Sequence, residues 1–151
     1  MSSQYRTAEK LLYAYPVNTM RYREAVIEYM RLRGETDCHG QSYGMMSGHS
    51  EPSDPPNEYV NRLQAGEQQI KKYSELVRSV REVRIDLKCS EEIRDRVLLQ
   101  IMELVYFENM SMRELALHLG MNERTLYRRR EELVRKVIAR RKENAVKVSQ
   151  K

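Results

Sequence analysis

The stretch SMRELALHLGMNERTLYRRREELVRKVIARR, Ser111 to Arg141, decides the fold. It falls into two helical patterns around a short break. Ser111 is a natural N-cap, and Glu114 three residues later completes a capping box, with Met110 and Leu115 as the hydrophobic staple around it. Leu115, Ala116 and Leu119 then give one apolar side. Gly120 stops the helix, because a helix end favours a residue that tolerates positive φ. Met121 is the apolar residue of the turn, and Asn122 caps the next helix through its side-chain oxygen. Leu126, Leu133, Val134, Val137 and Ile138 are the apolar positions of that second helix. Ala116 and Gly120 lie four apart and are small, so the two helices can cross closely. This is the pattern of a helix-turn-helix, whose second helix enters the major groove of double-stranded DNA.

The side chains of the second helix sort by the job each can do on DNA. Arg124 and Arg128 are four apart on one face with Tyr127 beside them, which suits base edges in the groove. Arg129, Arg130, Arg135 and Lys136 suit phosphates, contacts that position the protein without reading sequence. Glu123 opens the helix, where it can accept from a cytosine amino group or favour the helix dipole. His118 reads as an exposed residue of the first helix.

Upstream, Val97 to Phe107 (VLLQIMELVYF) continues into Glu108-Asn109-Met110-Ser111, Glu114-Leu115-Ala116, Leu119-Gly120, Asn122, Thr125-Leu126-Tyr127 and Arg128. Together these resemble region 4 of bacterial sigma-70-type factors. The whole chain resembles phage late-gene activators of the RinA/ArpU type: short proteins with N-terminal helices, a variable loop and a C-terminus like sigma region 4. The specific motif covers about the last third of the chain. The resemblance implies one helix at or beside a promoter −35 region, contact with host RNA polymerase, and control of packaging and morphogenesis genes. One departure is visible. The family usually has an apolar residue three after Leu126, and here Arg129 stands there; its stem can cover the core while its charge reaches water. A counterpart of sigma region 2 is missing, so an activator is expected rather than a complete sigma factor. A phage small terminase subunit, which also joins a helix-turn-helix to an oligomerising helical region, is the alternative.

Charge distribution agrees with a nucleic-acid partner. From Ser111 onward there are 12 Lys and Arg against 5 Asp and Glu, a surplus of seven on a chain whose net charge is +5. No Gly-rich phosphate loop, Ser-His-Asp order or apolar carboxylate pair is recognisable, so no enzyme and no cofactor are expected. Cys38 and Cys89 are too few for a disulfide framework and fit a reduced, cytoplasmic protein. Cys38, His39 and His49 lack a metal-site spacing. The longest apolar stretch, Val97 to Phe107, is too short to span a bilayer.

The expected architecture is all-α: N-terminal helices (residues 1–33), a flexible loop (34–57), a long central helix (58–87) and a DNA-binding unit with a basic tail (88–151). In the N-terminal part, Ala8, Leu11, Leu12 and Tyr15 give a first short helix. Pro16 breaks it, and a second helix presents Met20, Ala25, Val26, Tyr29, Met30 and Leu32 up to Gly34. The loop holds four of the six Gly and three of the four Pro. In the central helix, Leu63, Gly66, Ile70, Tyr73, Val77, Val80, Arg84 and Leu87 alternate spacings of three and four, a seam for the N-terminal helices or for a homodimer contact. Ser90 caps the following helix, whose core residues are Ile93, Val97, Leu98, Ile101, Met102, Leu104 and Val105. Residues Lys142 to Lys151 form a frayed basic tail.

Overall fold

The computed structural model describes residues 3–37 and 56–149, and among them the protein is all-α. Helix α1 spans Ser3–Asp37 and α2 Pro56–Cys89. Helix α3 spans Ile93–Gln100 and continues as a π-helical segment, Ile101–Phe107. Helix α4 spans Met112–Leu119 and α5 Glu123–Ser149. Cys38, His39 and His49 lie outside the described residues, as does most of the expected loop.

The chain divides into two compact units. The first joins Met1–Asn18 to Glu75–Lys151, and the second is Thr19–Ser74. This departs from the expected boundaries at 33, 57 and 87. The reason is the core, in which Ala8, Leu12 and Tyr15 of α1 are buried with Val77, Val80, Val83 and Leu87 of α2. The same cluster takes in Leu98, Ile101, Met102, Val105 and Tyr106, then Leu115 and Ala116, then Leu126, Leu133, Val134 and Val137. The residues expected to form a separate DNA-binding unit thus share one core with the first turns of the chain. Each fully buried Leu, Ile or Val contributes about 1.5–3 kcal/mol.

Two expected breaks in α1 do not occur. Pro16 is inside the helix, and Gly34 is helical too. A proline in a helix interior costs about 3 kcal/mol. Burial of Ala8, Leu12 and Tyr15 before it and of Asn18 after it offsets that cost, with the proline itself exposed. On α2, the three-four seam is real but changes character along its length. Leu63, Gly66, Ile70 and Tyr73 are half-buried in the second unit, whereas Val77, Val80 and Leu87 are buried in the first. Arg84 fits the seam because it has a partner: its Nη2 lies 2.8 Å from Glu103 Oε1 on the π segment, with its guanidinium over the Phe107 ring.

Three further corrections concern caps and ends. The N-cap of α3 is Glu92, and the Ser90 hydroxyl accepts from the Glu92 N–H at 3.3 Å instead of capping the helix. Ile93, the first residue of α3, is 79% exposed and contributes nothing to the core. Past Gln100 the helix widens, so that the Glu108 N–H donates to the Glu103 carbonyl five residues back. The expected frayed tail is helical to Ser149, although its apolar pattern has faded. Polar contacts to α2 replace apolar ones: Asn144 Nδ2 donates to Glu82 at 2.8 Å, and Arg140 is paired with Asp86.

In the second unit, the C-terminal half of α1 faces the N-terminal half of α2 through tyrosines. The Tyr29 hydroxyl donates to Glu67 at 2.7 Å, and the Tyr59 hydroxyl donates to the Leu32 carbonyl at 3.3 Å. Among the described residues, no helix is long and apolar enough to cross a membrane.

Candidate nucleic-acid interface

Local chemistry fixes the start of α4. The Ser111 side chain accepts from the Glu114 N–H at 3.2 Å, and the Glu114 carboxylate accepts from the Ser111 N–H at 2.9 Å. This is a complete capping box. The bond from the Ser111 N–H, helped by the Ser111 hydroxyl, holds the Glu114 carboxyl below its ordinary value. Helix α4 ends at Gly120, whose φ of 61° is left-handed. The Met121 N–H then turns back to the Ala116 carbonyl at 3.0 Å. Asn122 Oδ1 accepts from the Arg124 N–H at 2.8 Å and starts α5. Two helices are thereby joined by three residues, Gly120 to Asn122, with each end capped.

Packing sets the roll of α5. Leu126, Leu133, Val134 and Val137 are all fully buried. The opposite stripe, Arg124, Tyr127, Arg128, Glu131 and Arg135, is exposed. These positions are spaced by three or four, so they share one side of the helix. Arg124 and Arg128 have no ion-pair partner among the described residues, and Tyr127 is 47% exposed beside them. Glu123 is exposed at the mouth of an open hollow of about 470 Å³ beside the turn, lined also by Arg113 and Leu117.

The remaining expected contacts scatter. Arg130 points inward, with its Nη2 2.7 Å from Glu9 Oε1 and its Nε donating to the Tyr106 hydroxyl at 2.9 Å. Burial opposes the Arg130 charge, but the bond to Tyr106 and the Glu9 carboxylate raise its pKa further above its ordinary value. Burial likewise pushes the Tyr106 phenol up, so it stays neutral. Arg130 is therefore withdrawn from the phosphate set. Arg129 Nη1 lies 3.0 Å from Glu132 Oε2, and Arg94 holds the same carboxylate at 2.8 Å. Arg129 is half-buried, and its head is committed to Glu132. Lys136 is 3.4 Å from Asp95. Arg135 stays largely in solvent, with only a 3.7 Å contact to Glu131.

Arg113 is the residue that reading the sequence overlooked. It is exposed on α4 without an ion-pair partner among the described residues, in the same hollow as Glu123. It lies on the side of α4 away from the buried Leu115, one turn before Leu117, which is 78% exposed. Around the turn and along the first half of α5, the cations that stay largely in solvent are Arg113, Arg124, Arg128 and Arg135. With Tyr127 they can meet an anionic backbone and flat, hydrogen-bonding base edges. Among the described residues, no group of His, Cys, Asp and Glu could hold a metal ion. No family model matches the chain, and neither a curated protein nor a solved structure matches it.

Proposed function

We propose that the protein is a sequence-specific DNA-binding transcriptional regulator that reads the major groove with α5. The observation that carries this is the pairing of Arg124 and Arg128, unpartnered among the described residues, on the outer face of α5 directly after a capped turn. Helix-turn-helix proteins present the N-terminal turns of their second helix in this way. Arg124, Tyr127 and Arg128 take base edges, and Arg113 and Arg135 take phosphates. By its resemblance to the RinA/ArpU type, the protein activates phage or prophage late genes from a site near a promoter, in contact with host RNA polymerase in the bacterial cytoplasm.

A small terminase subunit is the alternative, favoured by the absence of any buried residue among the described part of Thr19–Ser74, as befits a segment that assembles. A binding selection over fragments of the source genome, at about 150 mM salt, separates the two. Recovery of one site beside a promoter supports the activator. Enrichment of a site within a terminase gene supports the alternative, and uniform recovery rejects both.

A further inference from the structure

Among its described residues, the second unit has no buried side chain. Every described side chain between Thr19 and Ser74 is at least partly exposed, where a stable helical unit would bury several. Its two helix segments leave an open groove of about 960 Å³ along one side. Ala25 and Ala65 are small residues of that groove, so a further helix could approach closely.

Charge identifies the occupant. Glu24 and Glu28 are four apart on the α1 wall of the groove, and Arg21 stands one turn before Glu24. None of the three has an ion-pair partner among the described residues, whereas Arg62 on the other wall is paired with Glu58. Like charges at this spacing repel. An acidic partner would worsen that repulsion, and a basic one would meet Arg21. A second copy of the same helix, running antiparallel about a two-fold axis beside Glu24 and Ala25, sets each Arg21 opposite the other copy's Glu28. An isologous surface must be self-complementary in just this sense. Another side of α1 exposes Met20, Ile27 and Met30, but no charges there single out an occupant.

We propose that this groove is a homodimer interface, in which the α1 and α2 segments that line it, from two copies of the chain, complete a four-helix bundle. The surface was identified without reference to α5, so its failure leaves the DNA-binding proposal standing, and the reverse holds.

The test is the solution mass of the full chain by sedimentation equilibrium, with helix content followed by circular dichroism. The wild type is expected to be a dimer at micromolar concentration. Arg21→Glu sets like charges against each other and should weaken the dimer at least about tenfold, with unchanged helix content. Arg21→Glu combined with Glu28→Arg exchanges the signs and should restore the dimer. A monomeric wild type, a ring of eight or more subunits, a dimer indifferent to Arg21→Glu, or a double variant that stays monomeric would each overturn the proposal. Should Arg21→Glu lose its helix content, Ala25→Gln keeps all the charges, obstructs the groove and should give a folded monomer; a folded dimer would overturn the proposal equally.

Discussion

The Glu9 carboxylate and the Arg130 guanidinium approach to 2.7 Å across 121 residues of chain. Both side chains are about four-fifths withdrawn from solvent, and the Tyr106 hydroxyl closes the group. Arg130 lies four after Leu126 and three before Leu133, on the buried face of α5. A cation in such a place needs a carboxylate and a hydrogen-bond acceptor, and the first helix brings the carboxylate.

Arg130→Ala should therefore destabilise the protein by about 2–3 kcal/mol, since it leaves Glu9 and Tyr106 without their charged partner. Arg124→Ala, on the exposed face, should change stability by less than about 0.5 kcal/mol. Urea denaturation of both variants checks this. Equal effects would mean that Arg130 is not held as described.

On DNA the order reverses. Arg124→Ala or Arg128→Ala should cost about 1–3 kcal/mol on the selected site and relax base preference. Arg113→Ala and Arg135→Ala should weaken all DNA about equally and each lower the salt slope by about one. Titrations at several salt concentrations on cognate and random duplexes separate the two classes. Unchanged site preference in Arg128→Ala would remove α5 from the groove.

The turn between α4 and α5 can be tested by backbone conformation alone. Gly120→Ala meets no neighbouring atom, yet it must adopt a φ near 61°. A loss of about 1 kcal/mol is expected from that strain. Ser111→Ala, which removes the cap of α4, should cost about as much. Thermal denaturation measures both.

Acid should loosen the ties between α5 and its neighbours. Burial pushes the Glu132 carboxyl up, but hydrogen bonds from Arg94 and Arg129 outweigh it and hold the group below its ordinary value. Glu82 is lowered against burial in the same way by Asn144, Arg78 and Arg140. Carboxyls depressed in the folded state stabilise it above their unfolded pKa, and that contribution is lost as pH falls through the folded one. Stability should thus decline as pH drops through and below the ordinary carboxylate range. Glu132→Gln should flatten the decline; an unchanged slope in urea denaturation between pH 6 and 3 would contradict the assignment.

Much of the fold could be read from local chemistry. Ser111, Glu114, Gly120 and Asn122 act within four residues of themselves, so their roles follow from spacing. The apolar face of α5 was legible for the same reason. Arg130 was misread because its chemical type outweighed its position: the spacing from Leu126 and Leu133 already placed it inward, but its partner Glu9 could not be seen locally. Pro16 failed as a break because local preference yielded to burial on both sides of it. The continuation of α5 beyond Lys142 rests on Asn144 and Arg140 meeting α2, contacts that leave no apolar period to detect. Among the site residues, Arg124, Tyr127 and Arg128 stand where helical periodicity placed them. Arg129 and Lys136 are tied to acids on their own helix or on α3, which no spacing within α5 reveals.

The split composition of the first unit has a consequence for biosynthesis. Ala8, Leu12 and Tyr15 leave the ribosome before Leu126, Leu133 and Val137, which share their core and are translated more than a hundred residues later. That core stays incomplete until α5 has emerged, even after Val77, Val80 and Leu98 are available to α1. Such distant pairing makes for slow folding. A fragment starting at Lys88, however complete its turn and recognition helix, would be born without one wall of its core.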